Sequence, residues 1–210
     1  MIYMVKQLQY SMMNQYKSVY LIRHGENEIN LNDPGLTDYG KIQANKITFT
    51  KHQVDGIVTS PTKRTLETAQ VISKSIGVPY QIENLINERL DFLDVPQLNY
   101  PQFRKLCAAS TNDRDYVLPN GQSSYTSGLR LEYFMTYVAN IVSNGAIIVT
   151  HQGIISDYLR NKFSDVEIER ICPLFNETRE DTIANCSITQ VDIFGKDHQL
   201  RYIGCTSHLS

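Results

Sequence analysis

Residues 19–26 read Val-Tyr-Leu-Ile-Arg-His-Gly-Glu, and the other elements of the chain are expected to be arranged around this stretch. Four apolar residues lead directly into a guanidinium, an imidazole and a glycine. An apolar run without alternation is typical of a short strand buried on both faces of a parallel sheet, and Gly25 predicts a sharp turn at its end. Arg23 and His24 are therefore expected at the C-terminal end of a buried strand, where ligands of open α/β sheets bind.

A single stretch of this kind could equally be a buried strand that ends in a histidine satisfied within the core. A second stretch repeats the arrangement, because residues 146–150, Ala-Ile-Ile-Val-Thr, run into His151, Gln152 and Gly153. A helix is predicted to follow at 154–161. Two histidines at the ends of two buried strands favour a site over simple packing.

A third apolar strand is predicted at residues 56–59, Gly-Ile-Val-Thr. Ser60 is a good N-cap and Pro61 is typical of a first helical position, so a helix is expected to begin there and to end at Gly77. Arg64 would lie in the first turn of this helix. Backbone N–H groups, the helix dipole and a guanidinium would then converge on an anion, although Arg64 could also be a solvated helix charge.

The remaining elements complete an alternation of strands and helices. Further helices are predicted at 40–49, near 103–108 and at 123–144, and a short strand is predicted at 79–82. Residues 187–193 and 199–203 alternate in polarity around a turn, which predicts an antiparallel hairpin at a sheet edge. Residues 84–118 form the least regular part of the chain.

The composition is that of an ordinary globular chain, with 210 residues, 41% hydrophobic and 20% charged. The formal net charge of −2 provides no overall basic field, so neither nucleic acid nor an anionic membrane is an expected partner. No apolar run approaches the roughly 20 residues that span a bilayer, and we find no export signal. Four widely spaced cysteines favour free thiols in a cytoplasmic protein.

The charged groups at the three strand ends fit a phosphate dianion. Arg23 and Arg64 supply guanidinium groups, and a neutral imidazole such as that of His24 can attack phosphorus directly. A carboxylic acid must then protonate the leaving oxygen. Glu88, in the irregular stretch, is the candidate for this role, with Asp91 as an alternative. The sequence contains no Asp, Glu and His spacing typical of a metal site, and no metal or cofactor is expected.

In these motifs the chain resembles the histidine phosphatase superfamily, whose members include phosphoglycerate mutase-like phosphatases. The resemblance extends from about Ser18 to Leu209. It rests on residues 23–26 with Asn30, residues 35–37 with Gly40, Ser60 and Pro61 with Arg64, residues 87–89, residues 150–153, residues 185–188 and residues 207–209. Each motif is weak alone, but their order and spacing together are specific.

The resemblance implies a three-layer α/β fold, in which a mostly parallel sheet has helices on both faces, an antiparallel edge hairpin and a small lid at 84–125. Residues 18–210 would form one domain behind an N-terminal extension, 1–17. The resemblance also implies a role for each site residue: His24 as nucleophile, Arg23, Arg64 and His151 in the phosphate pocket, Glu88 as general acid, and Asn30, Thr37 and Gln152 as substrate-binding residues.

The implied activity is metal-independent hydrolysis of phosphomonoesters through a phosphohistidine, on a small phosphorylated metabolite. A phosphoglycerate-type mutase and a catalytically weak module that binds phosphorylated ligands stay open as alternatives, as does the oligomeric state. The chain departs from the family pattern at Asn27, Gln122 and Gln152. Residues 92–98 also lack the Gly and the Trp-Glu-Gly that usually follow the acid. These departures affect substrate specificity.

Overall fold

The computed structural model describes residues 15–28, 33–175 and 183–210. These residues form one sheet, whose strands are β1 (Lys17–Arg23), β2 (Gly56–Thr59), β3 (Tyr80–Ile82), β4 (Gly145–Thr150), β5 (Ile188–Phe194) and β6 (Asp197–Cys205). The α-helices are α1 (Asp38–Asn45), α2 (Lys63–Ile76), α3 (Tyr100–Asn112), α4 (Ser124–Ile141), α5 (Gln152–Lys162) and α6 (Asp165–Ile171). Short 3₁₀ turns lie at Asn84–Ile86, Phe92–Asp94 and Ser207–Leu209.

The strand order in the sheet is β3-β2-β4-β1-β5-β6. The first four strands of this order are parallel, whereas β5 runs antiparallel to β1 and forms an edge hairpin with β6. In this register Arg23 pairs with Thr150, and Thr59 pairs with Val149. The C-terminal ends of β1, β2 and β4 therefore lie side by side at one edge of the sheet.

Each face of the sheet carries its own hydrophobic core. On β1, Val19 and Leu21 contribute to the core under α4 and α5, whereas Tyr20 and Ile22 contribute to the core under α1 and α2. This alternation follows from the period of two in a strand. Because both faces are covered by helices, the predicted three-layer, mostly parallel α/β fold with an antiparallel edge hairpin is confirmed.

Several predicted boundaries differ from the structure. Thr62, rather than Ser60, is the N-cap of α2, and its side chain makes no capping bond. The carboxylate of Asp33 instead accepts the N–H of Lys63 at 2.9–3.0 Å, so a residue remote in sequence caps this helix. Helix α1 ends at Asn45, several residues before the predicted end, and α6 lies where no helix is predicted.

The segment 84–125 is organised around a third, small hydrophobic cluster. Leu90, Val95 and Leu118 form its buried centre, and part of α3 packs against it. In the part of the chain that the structure describes, no helix is both long and apolar enough to cross a membrane. Cys107, Cys172, Cys186 and Cys205 are free thiols, as predicted.

Candidate active site

The parallel pairing of β1 with β4 places the two histidines beside each other. The N–H of His24 donates to the carbonyl oxygen of Thr150 at 3.0 Å, which extends the sheet pairing by one residue. The ring centroids of His24 and His151 are 5.4 Å apart, with the ring planes inclined by 64°. Both residues are buried, at 6% and 1% exposure. Two imidazoles far apart in sequence therefore form one cluster.

The imidazole of His24 is held in a single orientation by its own loop. Its Nδ1 donates to the carbonyl oxygen of Gly25 at 2.8 Å, and this bond leaves the lone pair on Nε2. Burial, with the neighbouring charges of Arg64 and Arg23, lowers the pKa of His24 well below its ordinary value. The neutral ring that a nucleophile requires is therefore the stable form at neutral pH.

The backbone around His24 is fixed by a segment near the end of the chain. The side-chain amide of Asn185 donates to the carbonyl oxygen of His24 at 3.0 Å. The N–H of Cys186 donates to the carbonyl oxygens of Arg23 and His24, at 3.0 and 3.3 Å. Cys186 has a φ of +56°, a region that non-glycine residues rarely adopt. The chain thus accepts an unfavourable backbone conformation next to His24.

Gly25 contributes close packing and has no left-handed backbone conformation. A Cβ at this position would lie 2.7 Å from the carbonyl oxygen of Gly40. The N–H of Gly25 donates to the Thr68 hydroxyl at 3.0 Å, and that hydroxyl donates to the carbonyl oxygen of Arg64 at 2.7 Å. A side chain at position 25 would separate the loop after β1 from α1. The sequence predicted Gly25 for a sharp turn, and the structure shows that glycine is needed here for close packing.

The two ring nitrogens of His151 have different partners. Nη2 of Arg64 lies 3.3 Å from Nδ1, and because a guanidinium only donates, Nδ1 is the acceptor. Nε2 then donates to the hydroxyl of Ser60 at 2.7 Å. Burial and the charge of Arg64 lower the pKa of His151 well below its ordinary value. A hydroxyl both donates and accepts, so Ser60 can support either neutral tautomer.

The guanidinium of Arg64 is held by several side chains of the site. It occupies the first turn of α2, as predicted, and its side chain is 10% exposed. Nη2 also donates to Oδ2 of Asp91 at 2.7 Å, and Nη1 lies 3.9 Å from Oδ1 of Asp33. Two carboxylates therefore neutralise this guanidinium in the structure. Arg23 lines the same cavity, and its Nη1 donates to the carbonyl oxygen of Ile183 at 2.7 Å.

Glu88 lies against the N-terminus of α5. Its Oε2 accepts the N–H of Gly153 at 3.0 Å, and its Oε1 accepts the N–H of Arg89 at 2.9 Å. A Cβ at Gly153 would lie 2.5 Å from Oε1, so only glycine at position 153 admits the carboxylate here. Glu88 is therefore held on the cavity wall against Gly153, which follows His151 by two positions in the sequence.

The guanidinium of Arg89 anchors this segment to three helices. Its Nη1 donates to Asp157 at 2.8 Å and to the Ser124 hydroxyl at 2.6 Å. Its Nη2 donates to the Thr111 hydroxyl at 2.6 Å. These bonds tie α3, α4 and α5 together behind Glu88. Burial raises the pKa of Asp157 to about 7, although the charge of Arg89 acts in the opposite direction.

The histidines, Arg64 and Glu88 open into a cavity of about 1140 Å³. Gln152 also lines this cavity, whereas Thr37 does not, because its hydroxyl caps α1 and donates to Glu26 at 2.9 Å. Asn30 lies outside the described residues. Among the described residues, no group of three or more His, Cys, Asp or Glu side chains could hold a metal ion.

Several residues that position this cluster have a different role in the sequence-based prediction. Ser60 is predicted only as a helix cap, yet it holds His151. Asp91 is predicted only as an alternative acid, yet it binds Arg64. The motif at 185–188 is visible as a resemblance, but the contact of Asn185 with His24 depends on the pairing of β5 with β1, which no local pattern encodes.

Taken together, the sheet edge presents two buried imidazoles, two guanidinium groups and a carboxylate to one cavity, an arrangement of the kind that binds phosphate groups. The chain belongs to the histidine phosphatase superfamily, branch 1, whose sequence pattern matches residues 19–206. The predicted family is thereby confirmed. Helix α5 and strands β1 and β4, which carry the two histidines, all lie within or at the edge of the matched region.

Known proteins similar to this chain include phosphatases of small metabolites. It is 27% identical over 194 residues to human 6-phosphofructo-2-kinase/fructose-2,6-bisphosphatase 4, with 83% of this chain covered. The chain spans only 40% of the length of that relative. In structure it is similar to Entamoeba histolytica phosphoserine phosphatase bound to 3-phosphoglyceric acid, with a TM-score of 0.65, 21% identity and 92% and 100% of the two chains covered.

A mycobacterial glucosyl-3-phosphoglycerate phosphatase bound to inorganic phosphate has the same TM-score of 0.65. Its identity is 19%, and 92% of this chain and 100% of that chain are covered. TM-scores of this size establish a common fold at these low identities. They leave the substrate of this chain to be inferred from its own residues.

Proposed function

We propose that this protein is a phosphatase that hydrolyses phosphomonoesters through a phosphohistidine on His24. The observation that carries the proposal is the orientation of that ring. Nδ1 is committed to the carbonyl oxygen of Gly25, so the Nε2 lone pair is available for attack. Arg64 and His151, which lie beside it, supply the charge and the hydrogen-bonding groups that a phosphoryl group requires.

In the first step, Nε2 of His24 attacks phosphorus, the N–P bond forms and the bond from phosphorus to the leaving oxygen breaks. Charge then shifts onto the equatorial oxygens of the phosphoryl group. Arg23 and Arg64 stabilise these oxygens by hydrogen bonds and charge. The Nδ1 bond to Gly25 becomes stronger at the same time, because the ring gains positive charge. His151 donates to a phosphoryl oxygen from the tautomer that carries its proton on Nδ1, and the Ser60 hydroxyl supports this tautomer by donating to Nε2.

The leaving oxygen takes its proton from Glu88. The N–H groups of Gly153 and Arg89 hold this carboxyl group on the cavity wall. After the alcohol leaves, a water molecule attacks phosphorus, Glu88 accepts its proton, and the N–P bond breaks to release inorganic phosphate. The proton that left Glu88 in the first half of the reaction is thus returned in the second.

A mutational test separates this acid from the rest of the site. Glu88→Gln should lower kcat/KM, which reports only the steps up to the phosphohistidine, at least about 100-fold for an alkyl phosphate. The loss in kcat/KM should be much smaller for 4-nitrophenyl phosphate, whose leaving group needs no proton. An equal loss on both substrates would argue against Glu88 as the acid and would favour Asp91 in that role.

The nucleophile is tested with 4-nitrophenyl phosphate in the presence of EDTA. We expect phosphate release in the wild-type protein and its loss in His24→Ala. Acid-labile, alkali-stable labelling by a ³²P-phosphomonoester should disappear in the same variant. His52→Ala is the matched control, because His52 is exposed on a loop remote from the cavity lining. Turnover that survives His24→Ala would overturn the proposal.

The physiological substrate would be a small phosphorylated metabolite. A cavity of about 1140 Å³ holds a leaving group considerably larger than a three-carbon acid. Transfer of the phosphoryl group from His24 to a second substrate hydroxyl, rather than to water, would instead favour a mutase. Mass spectrometry of the products in ¹⁸O-labelled water distinguishes the two outcomes.

A further inference from the structure

Three aromatic rings meet on one part of the cavity wall. Phe92 begins the 3₁₀ turn Phe92–Asp94, and Tyr100 and Phe103 lie on the first turn of α3. The centroid of Phe92 is 5.3 Å from that of Phe103 and 6.0 Å from that of Tyr100. All three rings line the same cavity as His24 and Arg64.

This aromatic wall is only partly covered by the protein. Tyr100 is 60% exposed, and its neighbour on the wall, Leu93, is 43% exposed. Phe103 packs on one side against the cluster of Leu90, Val95 and Leu118, whereas Phe92 is not part of that cluster. When an apolar group of a ligand covers ring surface that faces an open cavity, the free energy of the complex falls. The wall is therefore suited to bind part of a substrate.

One buried cation of the cavity lining already has partners of its own. Arg89 lines the cavity, but its guanidinium is held by Asp157, Ser124 and Thr111. Arg104 and Arg160 also lie on the wall, and the guanidinium carbon of Arg160 is 4.6 Å from the ring centroid of Phe175. These two arginines make a charged leaving group the principal alternative that an experiment has to test.

The sequence of the wall belongs to this chain rather than to the family pattern. Residues 92–98, which supply Phe92, Leu93 and Pro96 to the cavity, lack the Gly and Trp-Glu-Gly that usually follow the acid. The relatives' small, charged substrates therefore give no guidance about what this wall binds.

We propose that Phe92, Tyr100 and Phe103 form a leaving-group subsite for an apolar, ring-bearing alcohol. The preferred substrates would then be phosphomonoesters of aromatic or bulky hydrophobic alcohols. The inference rests on the proposed function, since it assumes that the phosphoryl group binds at His24 and Arg64. It goes beyond that function by naming the chemical class of the leaving group.

The test compares two esters whose leaving alcohols have similar pKa values, so that only binding differs. For the wild-type protein, kcat/KM for 3-phenylpropyl phosphate should exceed that for propyl phosphate about 30-fold, as expected when an apolar group enters such a pocket. Phosphoserine and 3-phosphoglycerate form the charged arm and should be poorer substrates than the phenylpropyl ester. A ratio near 1, or a preference for the charged arm, would overturn the subsite.

Variants of Tyr100 and Phe92 test whether the ratio of kcat/KM for the two esters depends on the aromatic wall. Tyr100→Ser should lower the ratio at least about threefold, chiefly by raising KM of the phenylpropyl ester, and its high exposure makes misfolding no concern. Phe92→Ala should lower the ratio further. Tyr133→Ser, at a tyrosine 69% exposed on α4 and outside the cavity lining, should leave it unchanged. An unchanged ratio in both wall variants would count against the proposal.

A binding measurement separates the subsite from catalysis. If no ester is hydrolysed, the proposed function fails, yet the subsite can still be tested with non-hydrolysable phosphonates. By calorimetry, 3-phenylpropylphosphonate should then bind at least about tenfold more tightly than propylphosphonate, with the difference lost in Tyr100→Ser. Equal affinities for the two phosphonates would reject the apolar subsite on their own.

Discussion

The ion pair between Arg64 and Asp91 predicts that Asp91→Asn tightens the binding of inorganic phosphate. Arg64 is proposed to bind the phosphoryl group, yet in the structure its Nη2 donates to Oδ2 of Asp91 at 2.7 Å. An incoming dianion must compete with this carboxylate for the same guanidinium. The dianion is also repelled by the negative charge of Asp91. Replacing the carboxylate with an amide removes both penalties.

The expected size of the effect follows from the geometry. A hydrogen bond to a charged group contributes about 1.5–3 kcal/mol. We use the lower end, because the Asp91 side chain is 17% exposed and solvent screens the pair. Since 1.4 kcal/mol corresponds to a factor of ten in an equilibrium constant, the inhibition constant of phosphate should fall about tenfold. The substituted amide keeps an oxygen for the N–H of Leu93, which the Asp91 carboxylate accepts at 3.1 Å.

The assay is competitive inhibition of 4-nitrophenyl phosphate hydrolysis by inorganic phosphate, with calorimetric titration as a check. Asp33→Asn is a second variant, for which we expect a smaller fall in the inhibition constant of phosphate. Asp33 lies 3.9 Å from Arg64 and its side chain is 46% exposed, so its effect should be below about threefold. Asp38→Asn, on the exposed face of α1 and paired with Lys41 at 3.0 Å, should cause no change.

Two results would refute this reasoning. An inhibition constant that stays the same or rises in Asp91→Asn would show that the ion pair does not oppose phosphate binding. A fall of about 100-fold or more in kcat on alkyl phosphates, with the inhibition constant unchanged, would instead identify Asp91 as the general acid. In that case Glu88→Gln should leave the dependence on the leaving group intact.

The remaining predictions concern residues behind the cavity and the stability of the fold. Ser60→Ala should lower kcat about tenfold and KM little, because His151 loses the partner of Nε2; Ser60→Thr should restore part of the rate. Arg89→Met should reduce the free energy of unfolding by about 3–5 kcal/mol in urea titrations, because it leaves Asp157 buried without its ion pair. Burial and the charge of Lys162 lower the pKa of His198 to about 4, so the unfolded chain takes up this proton first as the pH falls below 6.5. The contribution of His198 to stability is therefore complete above pH 6.5 and falls by up to about 2 kcal/mol between pH 6.5 and 5. Because His24, His151 and Asp157 also have shifted pKa values in the folded chain, the difference between the curves of the wild type and His198→Gln measures this contribution.

The sequence by itself determined the elements of the sheet edge and the chemistry they carry. The apolar runs at 19–22 and 146–149 predict the strands, because a strand buried on both faces has to be apolar throughout. The local pattern alone therefore places His24 and His151, which follow these runs, at strand ends. The helix after β2 is also predicted with Arg64 in its first turn, from residue preferences that act within a few positions.

The tertiary structure alone decided which of these ends are neighbours. The order β3-β2-β4-β1-β5-β6 sets His24 next to His151, and it brings Asn185 to the backbone of His24. In the folded chain Ser60, expected as a helix cap, is hydrogen-bonded to His151. Asp91, expected as an alternative acid, accepts a hydrogen bond from Arg64. Local patterns encode the type of an element, whereas strand order and register depend on the packing of both cores together. For that reason the sequence predicted six residues of the cavity lining, Arg23, His24, Arg64, Glu88, His151 and Gln152, whereas Thr37 lies outside the lining and the contacts among these residues were not predictable.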